Sequence, residues 1–432
     1  MTAEEVDVLI IGAGVAGLNC ALHLPRDCRV LILCKGDEEE SDSFLAQGGM
    51  CVLRDKKDFR SYFEDTMRAG HYENNPATVR CMIENSRAEA EELLSLGVRF
   101  ERDEKGNLAY TREGAHSRPR ILFHADCTGK EITSKLLAAV RSLPNAELRP
   151  QATMIDLLCE GNACFGAVLR ENATGKIYAA YASHTVLATG GVGGLFRHST
   201  NYPILTGDGL AVSYEHGVAV EHPDYVQIHP TTLYTEEGGR SFLISESVRG
   251  EGAVLLDRKG ERFVDELLPR DVVTAAIRKK MKEEGSSFVR LDLSTVRGGL
   301  DTLRKHFPGI LQRLTQEGYD PMKEPVPVVP AQHYFMGGIK SDLFGRTSMA
   351  RLYAVGETCC NGVHGKNRLA SNSLLESLIF SRRAAEDIVK SGVKQDQFTA
   401  QIAVKTEKYA DCKALFARYR ARVGREVNCE NE

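Results

Sequence analysis

Four short segments set histidine and arginine among small residues. They are His229-Pro230-Thr231, the stretch from Ser245 to Gly252 that carries Arg249, Leu268-Pro269-Arg270-Asp271, and His333-Tyr334 with Arg368 downstream. An arginine fork binds a carboxylate through two parallel hydrogen bonds. Several Arg and His in one site suit a dicarboxylate. Any one of them alone reads as a surface ion pair or a satisfied histidine, so only the combination points to a binding site.

The elements that must position these groups begin at the N-terminus. Val6, Val8, Leu9, Ile10 and Ile11 form a buried-strand run, and Gly12, Gly14 and Gly17 follow before a helix. In this G-x-G-x-x-G spacing Gly12 permits the turn, Gly14 lets a pyrophosphate approach the backbone, and Gly17 lets helix and strand pack closely. The phosphates would sit at the helix N-terminus. The second strand, Val30–Leu33, ends in Cys34-Lys35-Gly36, where an acid would usually hold a ribose. That departure, and the lack of a second such glycine motif, weakens an NAD reading and suits FAD. Two further strands run into glycine turns, at Thr185 to Gly191 (with Thr189 and Gly190) and at Leu352 to Glu357. Together they imply that distant parts of the chain return to one nucleotide crevice.

The 432 residues have room for roughly two or three domains. Hydrophobic residues make up 42% and charged residues 26%, an ordinary soluble globular composition. The net charge of -4 argues against a nucleic-acid partner or an anionic membrane surface. The longest apolar stretch, Val6 to Leu24, is broken by Asp7, Asn19 and glycines, so it fits strand-turn-helix and not a membrane span. Glu4, Glu5 and Asp7 stand where a signal peptide would be basic, so a cytoplasmic location is expected. The 12 cysteines form no C-x-x-C and predict reduced thiols and no metal site.

Helical spacing predicts helices over Glu84 to Leu96, Glu131 to Val140 and Gly209 to Glu215. Gln151 to Leu158 and Phe165 to Leu169 read as a β pair across Gly161-Asn162. After about His222 the texture shifts to an inserted α+β unit, with a strand at Val254 to Leu256 and a helix over Val272 to Glu284. Pro321, Pro325, Pro327 and Pro330 read as an extended linker out of it. A last helix starts near Ser371-Asn372-Ser373, and the remaining tail is charged and weakly helical.

Longer segments carry a resemblance. They are Ala46-Gln47-Gly48-Gly49, Thr111-Arg112-Glu113-Gly114-Ala115-His116-Ser117, Gln227 to Thr231, Val248 to Ala253, Pro269-Arg270-Asp271, Gly356-Glu357 and Asn367 to Glu376. Through them the chain resembles the succinate dehydrogenase/fumarate reductase flavoprotein superfamily over roughly residues 6 to 390. Within it, the chain is similar to the branch that oxidises L-aspartate. The resemblance implies an α/β fold: a Rossmann-like FAD-binding domain (1–222 and 334–390), an inserted α+β capping domain (223–333) and a short helical C-terminal region (391–432).

The resemblance also assigns roles. His229, His333, Arg270 and Arg368 match positions that bind substrate carboxylates, and Arg270 matches the proton donor or acceptor. Ser245 stands where the family commonly has threonine and keeps the hydroxyl. Glu357 matches the acid at the ribityl chain of FAD, and Ser373 and Leu374 the helix start at the flavin pyrimidine. Lys35, Ser43, Gln47, Gly48, Gly49, Thr189, Gly190 and Asp208 complete the expected cofactor set with Gly12, Gly14 and Gly17. Relatives with covalent flavin have histidine at the position of Asp42, so FAD here is expected to be non-covalent.

Glu113 belongs to the aspartate-oxidising branch; a carboxylate suits an ammonium group and repels a plain dicarboxylate. The implied reaction is L-aspartate to iminoaspartate, with oxygen or fumarate as acceptor, feeding quinolinate and NAD synthesis. The alternative is a soluble fumarate reductase or succinate dehydrogenase type of flavoprotein, which has no need of Glu113. A flavin-binding protein without catalysis would not need all four anion-site residues. The branch often carries a longer C-terminal helix bundle than the tail here, which bears on oligomer contacts and on transient contact with quinolinate synthase.

Overall fold

The structure, a computed structural model, describes residues 3–236, 239–393, 404 and 406–429. The first half runs β1 (Ala3–Ile11), α1 (Val15–Leu22), β2 (Val30–Leu33), α2 (Pro76–Ser95), α3 (Thr128–Arg141), β3 (Ala146–Arg149), β4 (Ala152–Glu160), β5 (Ala163–Glu171), β6 (Ile177–Leu187) and α4 (Asp208–Glu215). Then come β7 (Val226–Leu233), α5 (Glu246–Gly250), β8 (Val254–Leu256), α6 (Arg270–Glu284), β9 (Val289–Asp292), β10 (Val326–Phe335), β11 (Leu352–Ala354), α7 (Asn372–Ser391) and α8 (Cys412–Glu426).

The first sheet has the order β3-β2-β1-β6-β5-β4, with β11 also paired to β6. Strands β3, β2, β1, β6 and β11 are parallel, and the β4–β5 hairpin adds on antiparallel. A parallel sheet needs cover on both faces. Strand β1 provides for this by alternation: Val8 and Ile10 enter the core under α1, α3 and α7, while Leu9 and Ile11 enter the core on the other face. Because the strands are parallel, β1, β2, β6 and β11 all end on one edge. Gly12, Lys35, Thr189 and Glu357, far apart in sequence, therefore meet beside a single crevice.

Close approach fixes two of the glycines. Gly12 has φ +117°, its N–H donates to the Leu33 carbonyl at 2.9 Å, and a Cβ there would lie 2.0 Å from the Ala188 oxygen. A Cβ on Gly17 would lie 1.9 Å from the Gly12 oxygen.

The second sheet joins β7, β8, β9 and β10 with the short strands His198–Ser199 and Gly239–Arg240. Here the expectation of a proline linker is corrected. Pro327 and Pro330 lie inside β10, a central strand paired with both β7 and β9. Pro330 is tolerated because the ladder is interrupted there: β7 shifts register between His229 and Thr232, around its own Pro230, opposite Pro330, whereas Pro327 stays in register with Arg290 and its carbonyl accepts the Tyr234 N–H at 3.0 Å. The bulge also brings His229 on β7 and His333 on β10 side by side.

The tail is also better docked than expected. Residues 394–403, 405 and 430–432 lie outside the described part. Helix α8 buries Leu415, Tyr419 and Val423 in the core behind the first sheet. Buried Asp156 anchors the tail, taking hydrogen bonds from His216 (2.6 Å), Lys408 (2.5 Å) and Tyr409 (2.7 Å). Burial pushes this carboxyl up, but the three partners outweigh it and hold it at about 2, against an ordinary 3.8. A depressed carboxylate stabilises above its unfolded value, and that contribution disappears as pH falls through the folded value. Asp156→Asn is expected to cost roughly 2 kcal/mol at neutral pH by that shift. Urea denaturation should show the cost, with the gap to the parent narrowing as pH falls from about 4 towards about 2. No described helix is long and apolar enough to cross a membrane.

Candidate active site

A cavity of about 360 Å³ runs from the glycine turn at the end of β1 to the facing residues of the second sheet. Every residue singled out for cofactor or substrate lines it, except Gly17, which packs beneath the turn.

The end beside the glycine turn carries buried polar groups without partners. The N-terminus of α1 has no side-chain cap of its own at Gly14. Instead, the Val15 N–H donates to Ser43 Oγ at 3.1 Å, and a Cβ on Gly14 would meet that hydroxyl at 3.2 Å. Ser41 Oγ, Asp42 Oδ2 and Gln47 Oε1 also line the cavity and are buried without a hydrogen-bond partner. Buried polar atoms of this kind need a partner. Glu357 accepts from the Phe335 N–H at 3.0 Å, and burial, then Asp42, pushes its carboxyl well up. Lys35 pairs with Asp208 at 2.7 Å, closing the crevice floor. The N-terminus of α1 with the Ser43 hydroxyl beside it, for phosphate, and unsatisfied acceptors and hydroxyls for ribityl and ring atoms fit FAD.

The other end gathers positive charge. Arg270 opens α6; its Nη1 donates to Gln227 Oε1 at 2.9 Å and its Nε to Glu246 Oε2 at 2.5 Å. Arg368 donates to the same Gln227 oxygen at 3.3 Å, also hydrogen-bonds Ser373, and lies over the Tyr334 ring at 4.3 Å. Gln227 is held in turn, donating to Asn367 Oδ1 and the Arg368 carbonyl, each at 2.8 Å. Two buried guanidiniums therefore share one amide oxygen. Burial and then Arg270 lower Arg368 to about 10, a cost that a bound dianion would relieve.

The two histidine rings meet edge to face, with centroids 5.1 Å apart. His229 Nδ1 accepts from the Thr231 N–H at 3.2 Å, which places the ring proton on Nε2. His333 Nδ1 lies 2.8 Å from Thr200 Oγ1. Burial, then Arg270, holds both imidazoles well below their usual value. They are neutral hydrogen-bonding groups, and the arginines carry the charge. Ser245 caps the short helix α5.

Glu113 lines the same cavity and is 2% exposed. Its loop is pinned from behind. Arg120 donates to His116 Nδ1 (2.9 Å), Asp65 (2.7 Å) and Asp58 (3.0 Å), and Asp65 takes both the N–H and the hydroxyl of Ser117 at 2.7 Å. Burial, then Glu246, pushes the Glu113 carboxyl up.

Sequence reasoning gave no role to Gln227, Glu246, Thr200, Ser247 or Ser371. All but Thr200 sit in the segments that carried the resemblance or the anion-site reading. Only their side-chain contacts reveal what they do.

Comparison with known proteins agrees with a flavoprotein of this architecture. A family model described as FAD binding domain matches residues 7–374. The L-aspartate oxidase of Clostridium perfringens is 49% identical over 383 residues, covering 88% of this chain and 86% of that protein. That of Clostridium acetobutylicum is 48% identical, covering 89% and 88%. Among solved structures, a mutant FrdA of E. coli quinol fumarate reductase superposes with a TM-score of 0.86 at 29% identity, covering 97% of this chain and 74% of that one. The chain thus belongs to the L-aspartate oxidase family of FAD-binding flavoproteins.

Proposed function

We propose that the chain catalyses the FAD-dependent oxidation of L-aspartate to iminoaspartate, the first step of NAD biosynthesis by way of quinolinate. One observation carries the choice over a plain dicarboxylate enzyme. Glu113, a buried carboxylate, lines the same cavity as Arg270 and Arg368. For succinate or fumarate it would only repel; for aspartate it meets the ammonium group.

When bound, FAD supplies the two-electron acceptor for the substrate α-carbon. The chain supplies geometry and charge. Arg368, Ser245 and the neutral imidazoles of His229 and His333 hold the carboxylates, and Glu113 orients the amine. Arg270, held between Gln227 and Glu246, stands at the proton-transfer position. Holding a substrate in one reactive pose can supply roughly 7 kcal/mol or more.

Residues 1–222 and 334–390 serve as the cofactor domain, 223–333 as the cap and 391–432 as a C-terminal appendage whose described part carries α8. The separate core of the second sheet, from Leu233 to Val328, supports this division. Asp42 has no imidazole to bond the flavin, which supports non-covalent FAD. Oxygen or fumarate takes the electrons, and quinolinate synthase is a transient partner. The cytoplasm is the working compartment, in keeping with the thiols of Cys20, Cys34, Cys51 and Cys164 outside any disulfide.

The test is direct. Purified yellow protein is mixed with L-aspartate without oxygen while flavin absorbance is followed. Bleaching by L-aspartate, and not by succinate or D-aspartate, is the expected result. No bleaching by aspartate, with reduced flavin reoxidised by fumarate, would move the chain to a fumarate reductase role.

A further inference from the structure

The Glu113 carboxylate is not simply buried; it is seated. Ser247 Oγ donates to Glu113 Oε1 at 2.6 Å, and Ser371 Oγ donates to Oε2 at 2.5 Å. The proton directions follow from the neighbours. The Gly49 N–H can only donate, and it donates to Ser371 Oγ at 3.1 Å, so the Ser371 proton is turned towards Glu113. Ser245 Oγ accepts the Ser247 N–H and donates to Ser247 Oγ, each at 3.2 Å, which turns the Ser247 proton towards Glu113 as well.

The two serines come from segments far apart in the chain. Ser247 is on α5, and Ser371 immediately precedes α7. Ser371 adopts φ +62°, a left-handed conformation that is unfavourable for serine. Its carbonyl is held by the Cys51 N–H at 3.0 Å. Glycine would remove that strain; serine adds the hydroxyl. Gly48 completes the seat, since a Cβ there would lie 2.7 Å from Glu113 Oε1.

We propose that Ser247 and Ser371 are positioning residues that seat Glu113 as the acceptor for the substrate ammonium group, and so set the preference for an amino acid over a plain dicarboxylate. This rests on the reading of Glu113 given above. Each carboxylate oxygen takes one hydroxyl proton and keeps a lone pair for the amine. The seat also favours the charged form. Glu246 opposes ionisation of Glu113 and Arg270 favours it, with Arg249 and Arg368 adding positive charge and Cys51 lying nearby. The two hydroxyls add to the side that keeps the carboxylate ionised.

The experiment uses the FAD-loaded full chain and the variants Ser247→Ala, Ser247→Thr and Ser371→Gly, the last chosen because glycine keeps the left-handed backbone. Aspartate oxidation and fumarate reduction are measured on each, with kcat/KM for aspartate followed against pH. Loss of either hydroxyl is expected to lower aspartate kcat/KM about tenfold and to leave fumarate reduction within about threefold. The acidic limb of the aspartate profile should move up by about one pH unit, because a less stabilised carboxylate protonates sooner. Ser247→Thr should restore both. Parallel loss of both activities, or an acidic limb that stays in place, would overturn the assignment. Glu113→Gln run alongside separates the two levels. If it leaves the aspartate-to-fumarate ratio intact, the reading of Glu113 fails. If it lowers the ratio while the serine variants do not, only the serine assignment fails.

Discussion

Replacing Arg270 with leucine is expected to abolish turnover of aspartate and fumarate alike, lowering kcat by about 10³-fold or more while FAD stays bound. The magnitude is that of removing both a positioned charge and a proton-transfer group. Arg270 contacts Gln227 and Glu246 and none of the expected cofactor residues, so the flavin spectrum should survive. The change also strips Glu246 of its nearest cation. Burial pushes that carboxyl up; Arg270, then Arg249, outweighs it and holds the carboxyl low. With only Arg249 left, at 3.8 Å, the buried charge is poorly compensated, and stability should fall by about 3 kcal/mol. Arg270→Lys therefore belongs in the same assay. It keeps the charge near Glu246 and loses the planar fork, so a folded lysine variant with kcat still down by about 10²-fold would assign the loss to the guanidinium. Retained turnover in a folded leucine variant would exclude Arg270 from the chemistry.

Glu113→Gln carries the second large effect. Removing one partner of a desolvated charge pair typically costs 2–5 kcal/mol, so kcat/KM for L-aspartate is expected to fall about 100-fold or more. Fumarate carries no ammonium, and its reduction should be unchanged or faster, because a buried negative charge beside a dianion has been removed. Glutamine keeps the volume and can still accept from one serine, which limits structural damage. The informative number is the ratio of the two activities. If it does not move, the site is a plain dicarboxylate site and Glu113 belongs to the loop structure alone.

The pH behaviour follows from the same groups. Two buried arginines supply the positive charge, and His229 and His333 are held well below their usual value, so neither imidazole should impose an ordinary histidine limb at neutral pH. If Glu113 receives the substrate ammonium as proposed, the acidic limb for aspartate is expected to follow its carboxyl, raised by burial and Glu246.

Much of the architecture is visible in local sequence. The strand Val30–Leu33 falls where its apolar run predicts, and the glycine spacing marks the turn because backbone geometry at Gly12 and Gly17 leaves no room for a side chain. That the expected site residues line one cavity was also legible, because their types stand in short recognisable segments that the fold brings together.

Pairing and docking were not legible, because they depend on partners far away in the chain. Prolines at 327 and 330 read as a linker until β7, with a bulge of its own, is found beside them. The charged tail reads as a weak helix until Asp156, over 250 positions earlier, is seen to bind Lys408 and Tyr409. The seat of Glu113 is of the same kind. Residue types name a carboxylate and two serines; only the fold, by bringing 113, 247 and 371 within hydrogen-bond reach, turns them into one acceptor. Propensity and motif act over a few residues, whereas the charge state and direction of a buried group are set by whatever the folded chain packs against it.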